Sequence, residues 1–207
     1  MKSRSILLPI VAAFIASCTV RLDDYRAYSG DGTFVPHPAP TWVCQDGYSV
    51  DLGTIDLSSP GTVTRQLAGL PRMTAVIGLQ LDYRSAAPRT SAPPPIPTAV
   101  VEVSVRDEHD RSVLSRQERL SAWSASIDPA DPARVYLFRR PPTWEVPQPS
   151  GAVRVEPINV GADDGSGSYF KPRRDGRYTL HFTVSEPDPN LAGFDVRLRV
   201  DGVAACL

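Results

Sequence analysis

The fold is decided by two stretches near the end of the chain, Tyr178-Thr179-Leu180-His181-Phe182-Thr183-Val184 and Phe194-Asp195-Val196-Arg197-Leu198-Arg199-Val200. Apolar and polar side chains alternate through both stretches, and successive side chains of a β-strand point to opposite faces. Each stretch therefore predicts a strand with one buried side and one solvent-facing side. Two such strands in succession are typical of an antiparallel sheet that covers a core on one face only.

The same period of two recurs upstream, with Ala75, Ile77, Leu79, Leu81 and Tyr83 on one face of a third strand. No amphipathic pattern of helical length occurs from Trp42 onward, and β-rich segments alternate with Gly and Pro. The pattern predicts an all-β fold, a single antiparallel β-sandwich, and leaves immunoglobulin-like and jelly-roll-like connectivity both open. The predicted strands are Trp42–Tyr48, Gly61–Leu67, Thr74–Tyr83, Ala99–Asp107, Arg111–Leu120, Arg134–Phe138, Gly151–Val155, Arg177–Val184 and Phe194–Val200.

The turn before the first of these decisive strands, Asp175-Gly176-Arg177-Tyr178, resembles the entry to a tyrosine corner in immunoglobulin-like sandwiches. In that arrangement the phenol bonds to the backbone a few residues upstream. The resemblance implies the same contact for Tyr178.

Two segments rich in proline interrupt the strand pattern, Ala86–Pro97 and Arg139–Ser150. Proline cannot donate to a sheet ladder, so both segments are predicted to be extended loops at an edge or an end of the sandwich.

The chain begins with Lys2 and Arg4 followed by an apolar run from Ile6 to Phe14, which is too short to span about 30 Å of hydrocarbon. This predicts a signal peptide over residues 1–17. Its end, Ile15-Ala16-Ser17-Cys18, resembles the lipobox of bacterial lipoproteins. The resemblance implies cleavage before Cys18 and acylation of that residue, which anchors the chain to a lipid membrane. The alternative is an ordinary secretory signal with a chance cysteine.

Thr19 follows the cysteine, where an aspartate would favour retention at the inner membrane, so we expect an outer-membrane anchor with the domain facing the periplasm. Residues 18–41 are rich in Gly and Pro and show no strand or helix period. They are predicted to be the lipidated cysteine and a spacer, with the sandwich domain over residues 42–207. Without residues 1–17 the chain has 20 basic against 23 acidic residues. This balance suggests neither a nucleic-acid nor an anionic-lipid partner.

Cys44 and Cys206 remain if Cys18 carries lipid. In an oxidising compartment two such thiols usually close, so a disulfide between the start and the end of the domain is predicted. Two buried free thiols are the alternative.

Three segments together resemble a family of small bacterial lipoproteins that share a β-sandwich domain of unknown function. They are Ile55-Asp56-Leu57-Ser58-Ser59-Pro60-Gly61, Pro95-Ile96-Pro97-Thr98, and Pro172-Arg173-Arg174-Asp175-Gly176-Arg177-Tyr178 followed by Pro189-Asn190-Leu191-Ala192-Gly193. The resemblance covers most of residues 50–203 and implies a sandwich on a lipid anchor. It assigns no activity, and residues 121–149 depart from the family pattern.

Residues able to carry catalysis are sparse. The three histidines, His37, His109 and His181, are far apart in the sequence, and no zinc-protease, nucleophile-elbow or phosphate-loop motif occurs. The sequence therefore predicts no catalytic residue, no metal site and no cofactor, and favours a protein that is not an enzyme. The run from Asp163 to Ser168 is interpreted as an acidic turn, since it lacks the ligand spacing of a calcium loop.

Trp123, Arg139, Arg140 and Trp144 are the candidate partner-binding residues, because Arg and Trp are enriched at interface hot spots. Filling of the core by one or two of the tryptophans is the alternative. These observations favour a membrane-anchored, non-catalytic module that binds a protein partner of unknown identity. The sharpest form of this hypothesis is an immunity protein against a secreted toxin. A structural or assembly component of the envelope, and a ligand carrier or enzyme, are the competing classes.

Overall fold

The computed structural model describes residues 28–37, 47–82, 97–127, 134–138, 153–154 and 168–202. These residues form strands and two 3-10 turns, Leu120–Ala122 and Pro189–Leu191. No helix among them is long and apolar enough to cross a membrane. The strands are β1 (Thr33–His37), β2 (Gly47–Ile55), β3 (Gly61–Ala68), β4 (Ala75–Asp82), β5 (Val100–Asp107), β6 (Ser112–Arg119), β7 (Ser124–Ile127), β8 (Arg134–Phe138), β9 (Val153–Arg154), β10 (Tyr169–Phe170), β11 (Arg177–Glu186) and β12 (Asp195–Gly202).

The strands form two antiparallel sheets. The large sheet has the order β1-β2-β12-β4-β8-β7-β9, with β10 also paired to β4, and the small sheet has the order β3-β11-β5-β6. Leaving aside the short strands β1, β7, β9 and β10, eight strands remain. Numbered along the chain, they are ordered 1-8-3-6 in one sheet and 2-7-4-5 in the other. Successive strands thus cross between the sheets except at the β5–β6 hairpin, which is the order of a jelly roll.

The core lies between the two sheets and is formed by the alternating positions that the sequence indicates. On the large sheet Leu198 pairs with Leu79, and on the small sheet Phe182 pairs with Val103. All four side chains are buried. The predicted all-β sandwich is therefore confirmed, and the jelly-roll connectivity is the one observed.

The first strand of the predicted domain continues further along the chain than the sequence indicates. Of the predicted strand Trp42–Tyr48, residues 42–46 lie outside the described residues, and Gly47 and Tyr48 begin β2, which continues to Ile55. Leu52 and Gly53 together face the single residue Leu198, which is a β-bulge, and Gly53 has a φ of 91°. The extra residue breaks the period of two within β2, so the alternation that marks a strand is lost in the sequence.

Residues 28–37, here called the strap, lie in the predicted spacer but belong to the sandwich. Ser29 N donates to Ala68 O (3.1 Å) and Asp31 N to Gln66 O (2.7 Å), along the edge of β3. The chain then turns at Gly32, which has a φ of 84°, and continues as β1 along β2. The prediction of a spacer over residues 18–41 is therefore wrong for the strap.

The physical reason for this difference lies in the two glycines of the strap. A Cβ atom at Gly30 or at Gly32 would overlap the backbone of β3 or β2. These glycines permit close approach between strands and do not indicate a flexible linker. An aromatic row also holds the strap, because Phe34 stacks between Tyr28 and Tyr48 at centroid distances of 5.4 and 5.2 Å.

Candidate functional site

The structure describes only one of the residues predicted to form a site. Cys18, Cys44, Cys206, Arg139, Arg140 and Trp144 lie outside the described residues. Trp123 follows the 3-10 turn at Leu120–Ala122 and is 4% exposed within the hydrophobic core. Trp123 therefore has the core-filling role that the sequence left open, and it is not part of a contact surface.

The outer face of the large sheet carries a network of polar side chains at its centre. Because β12 alternates, Asp195, Arg197, Arg199 and Asp201 point away from the core while Val196, Leu198 and Val200 point into it. The register places Asp51 of β2 on one side of this row and Gln80 of β4 on the other, with Tyr136 of β8 next to Gln80. We call this set the arginine–aspartate face: Asp51, Gln80, Tyr136, Asp195, Arg197, Arg199 and Asp201.

Arg199 is the centre of the arginine–aspartate face. Its Nη1 atom donates to Gln80 Oε1 (2.7 Å) and its Nη2 atom to Asp201 Oδ1 (2.9 Å). Its guanidinium carbon lies 5.1 Å from the ring centroid of Tyr136, within the range of a cation–π contact. The side chain is 16% exposed. Arg199 thus links β12, β4 and β8 and is held in one orientation.

Arg197 is the more accessible arginine of the face. Its side chain is 42% exposed, forms an ion pair with Asp51 and lies 3.7 Å from Asp195 Oδ2. Burial opposes ionisation of Asp51, but hydrogen bonds from Gly53 N and Arg197 and the charges of both arginines outweigh it and lower the Asp51 pKa. Opposite charges are therefore fixed side by side on rigid strands, partly open to solvent.

Next to this face, His37 of β1 and Ser49 of β2 form a hydrogen-bonded pair, with 2.9 Å between His37 Nε2 and Ser49 Oγ. Burial lowers the pKa of His37, and the nearby Asp201 opposes this effect. A hydroxyl beside an imidazole is the arrangement of an activated nucleophile, but Ser49 is only 5% exposed. A bond that fixes β1 to β2 accounts for the pair.

The predicted proline-rich loop over residues 139–150 is bracketed by strands of the large sheet. Its first residue follows Phe138, the end of β8, and the chain rejoins the sheet at Val153 in β9. In the register Tyr136 lies opposite Ser126 of β7, which lies opposite Arg154 of β9. The loop itself lies outside the described residues, and the strands on either side of it, β8 and β9, belong to the large sheet that carries the arginine–aspartate face.

The tyrosine-corner contact predicted from the sequence is confirmed. Tyr178 Oη accepts a hydrogen bond from Arg173 N at 2.6 Å. A Cβ atom at Gly176 would overlap the phenol, so this position requires glycine. The corner is a structural element and presents no group for chemistry.

The turn after β5 is organised by Asp107. This carboxylate, 3% exposed, accepts hydrogen bonds from His109 N (2.9 Å), Arg111 N (3.1 Å) and Arg111 Nε (2.9 Å). A fourth donor, Arg173 Nη2, lies 3.3 Å from it. The hydrogen bond from Arg111 is the main cause that lowers the Asp107 pKa to about 2.

At the other end of the sandwich Asp188 connects two of the segments that resemble the lipoprotein family. It accepts hydrogen bonds from Thr98 N (2.8 Å), Thr98 Oγ1 (2.9 Å) and Asn190 N (3.1 Å). Burial opposes ionisation of Asp188, but these donors outweigh it and lower its pKa. Hydrogen bonds that stabilise these two loops therefore account for the residue types at Thr98 and Asn190.

No protein-family model and no curated protein sequence matches this chain. The described residues contain no group of three or more His, Cys, Asp or Glu side chains placed to hold a metal ion. The arginine–aspartate face was missed by the sequence analysis because Asp195, Arg197 and Arg199 read as an ordinary solvent-facing row. The signal available was the presence of both charge signs on the outward positions of a strand with four buried residues, which is compatible with ion pairs across strands.

Proposed function

We propose that this chain is a membrane-anchored periplasmic lipoprotein whose sandwich binds a protein partner without catalysing a reaction. The observation that carries the proposal is the arginine–aspartate face, where Arg199 and Tyr136 are held together at the centre of the large sheet. The predicted loop over residues 139–150, with Arg139, Arg140 and Trp144, forms the second part of the binding surface. The strands on either side of it, β8 and β9, belong to the same sheet as this face.

Physical considerations favour a protein partner for such a surface. Tyr, Trp and Arg are the residue types enriched at interface hot spots. Charges of both signs, fixed before binding, give specificity and speed association with a partner of complementary charge. Arg197 and Asp51 are already oriented by each other and accessible to solvent, so little side-chain entropy is lost on binding.

The edge strand β6, which ends the small sheet among the described residues, is a weaker candidate for this role. Arg116 and Glu118 of β6 pair with Val103 and Val101, whose side chains face the core. Charged residues on the core-facing side of an edge strand disfavour the addition of another strand. A partner that binds by adding a strand to β6 is therefore disfavoured, and the face of the large sheet is preferred.

Lipid anchoring at Cys18 confines the module to the surface where an incoming protein would act. The sharpest version of the proposal is an immunity-type protein that occludes a toxin delivered to the periplasm. A structural or assembly role in the envelope requires the same binding surface. The two roles are separated by the identity of the partner.

The test is co-purification of partners with the tagged, detergent-solubilised lipoprotein and with a Cys18→Ser form, followed by mass spectrometry. A stoichiometric partner retained by both forms is expected. A secreted toxin as the partner supports the immunity role, and an envelope complex supports the assembly role. No partner on either form would overturn the binding function.

The surface itself is tested with two variants measured against that partner. Deletion of residues 139–149 and the double substitution Asp51→Ala with Arg197→Ala are each expected to weaken binding by about tenfold or more. Removal of the ion pair between Arg119 and Glu186 by double alanine substitution is the matched control and should leave affinity unchanged. Unchanged affinity in both test variants would exclude this surface.

A further inference from the structure

Basic side chains collect at one end of the sandwich, although the chain as a whole is slightly acidic. We call this the basic end and define it by residues 69–74, 106–111 and 171–177. Its seven basic residues, against four acidic ones, are all exposed. They are Arg72, Arg106, Arg111, Lys171, Arg173, Arg174 and Arg177.

The topology brings these three segments together from distant parts of the sequence. Arg177, at the start of β11, pairs with Ala68 at the end of β3, and Tyr178 pairs with Asp107 at the end of β5. Phe170 pairs with Ala75, the first residue of β4, so Lys171 leaves the sheet at the same end. Four of the seven basic residues lie within Lys171–Arg177, and only the fold adds Arg72, Arg106 and Arg111 to them.

Three of the four acidic residues at the basic end form close ion pairs with arginines. Asp107 is buried and contacts Arg111 and Arg173, Glu108 Oε1 lies 2.8 Å from Arg173 Nη2, and Asp110 Oδ1 lies 3.2 Å from Arg106 Nη1. Arg174 is 82% exposed and has only a distant contact with Asp175, at 3.9 Å. The remaining cations therefore project positive charge outward.

The opposite end of the described sandwich has the reverse charge. Its loops, residues 56–60, 97–99 and 186–195, contain Asp56, Glu186, Asp188 and Asp195 and no basic residue. Arg119, at the end of β6, lies at this end too and pairs with Glu186 at 2.9 Å. The acidic side chains still outnumber it, so the two ends differ in the sign of their net charge.

The chain enters the fold at the basic end. Ser29 N donates to Ala68 O, so the first described residues lie beside the last residue of β3. Cys18 precedes Tyr28 by ten positions. Ten residues span at most about 36 Å, whatever their conformation. An anchor at Cys18 therefore holds the basic end close to the bilayer.

We infer that the basic end binds the anionic phospholipid headgroups of the bilayer that holds the anchor. The inference rests on the proposed acylation of Cys18. Anionic headgroups attract Lys and Arg side chains within a Debye length of the surface, and the short tether keeps the two at high effective concentration. The sandwich then stands on its basic end, with the acidic end away from the bilayer and the arginine–aspartate face accessible from the side.

The experiment uses the full lipoprotein, purified in detergent and reconstituted into vesicles. The vesicles are made of phosphatidylcholine alone, or of phosphatidylcholine with phosphatidylglycerol and a headgroup-labelled acceptor lipid. A fluorophore is attached through His109→Cys at the basic end or through Ser59→Cys at the opposite end, both in exposed turns. Flotation of the vesicles and the mass of the Cys18 peptide report separately whether the anchor is present.

In vesicles with phosphatidylglycerol, energy transfer to the lipid is expected to be several-fold greater from position 109 than from position 59. High salt and the double substitution Lys171→Gln with Arg174→Gln should both reduce this difference. Arg116→Gln with Arg119→Gln, which removes the same charge from β6, should leave the difference unchanged.

Two results with an anchored protein would contradict the binding of headgroups but leave the anchor intact. They are equal energy transfer from positions 109 and 59, and a difference that does not respond to salt or lipid charge. A chain that does not float and lacks acyl mass would overturn the anchor and the inference together.

Discussion

At the scale of single residues, the best-defined feature is the corner where Tyr178 accepts a hydrogen bond from Arg173 N. The contact was predictable because the sequence Asp175-Gly176-Arg177-Tyr178 places a phenol directly after a tight turn. The hydrogen bonds to Asp107 could not all be predicted from the sequence, because one of its donors, Arg173, is 66 positions away.

Removal of the Tyr178 hydroxyl tests the corner. Tyr178→Phe is expected to lower the free energy of unfolding by about 1 to 2 kcal/mol, because Arg173 N–H loses its acceptor. Denaturation by urea measures the change. Tyr169→Phe, which removes the hydroxyl of a half-buried tyrosine away from the corner, is the control. Equal effects of the two substitutions would argue against a special role for the Tyr178 hydroxyl.

Asp107 makes the free energy of unfolding depend on pH in the acidic range. Its pKa is lowered from 3.8 to about 2, first by the hydrogen bond from Arg111. The unfolded chain therefore binds a proton at a higher pH than the folded chain does. The stabilisation is fully present above about pH 4 and is lost as the pH falls towards about 2.

Asp107→Asn is expected to lower stability at neutral pH and to flatten the acid dependence between about pH 4 and pH 2. Urea denaturation across this range measures both effects. Asp110→Asn is the control, because Asp110 is largely exposed and asparagine tolerates its positive φ of 60°. An acid dependence unchanged by Asp107→Asn would show that other carboxylates determine it.

At the scale of elements, the strap shows that a segment rich in Gly and Pro can be an ordered strand as well as a linker. Gly and Pro between residues 28 and 37 indicate a linker when no strand period accompanies them. In the fold the same glycines allow the strap to lie against β3 and then β2, and Phe34 fills the space beside Tyr48. An edge strand held mainly by its neighbours leaves a weak pattern in its own sequence.

The junction between β2 and the end of β12 depends on one glycine. Tyr48 lies over its partner Gly202, where a Cβ atom would overlap the ring and Met73 Sδ. Gly202→Ala is expected to lower the free energy of unfolding by about 1 to 3 kcal/mol through overpacking.

Gly61→Ala is the matched control for this substitution, because no atom lies within 4 Å of a Cβ placed at Gly61. Thermal or chemical denaturation compares the two variants. A loss of stability of the same size at both positions would contradict the packing argument.

At the scale of the whole molecule, the register between the first and last long strands bears on the two cysteines of the domain. Gly202 pairs with Tyr48 and Asp201 with Ser49. Cys44 and Cys206 each lie four positions beyond this last pair and outside the described residues, so their disulfide stays a prediction from the sequence. The paired ends of β2 and β12 do bring the two chain segments that lead to these cysteines to the same end of the large sheet.

The disulfide is tested by peptide mass spectrometry of the protein without reduction. A peptide linked through Cys44 and Cys206 is expected, and its reduction should destabilise the domain by up to about 5 kcal/mol for so long a loop. Cys44→Ala with Cys206→Ala gives the matched protein without the bond. Free thiols at both positions in the oxidised protein would contradict the prediction.

The sequence by itself determined the sandwich, most of its strand positions and the corner at Tyr178, because each depends on alternation or on a turn of a few residues. Only the tertiary structure decided the jelly-roll order, the strap, the burial of Trp123 and the arginine–aspartate face. It also brought together the basic end, which the net negative charge of the sequence does not suggest. These features depend on which distant strands pair, and pairing across the sheets joins residues that no local pattern relates.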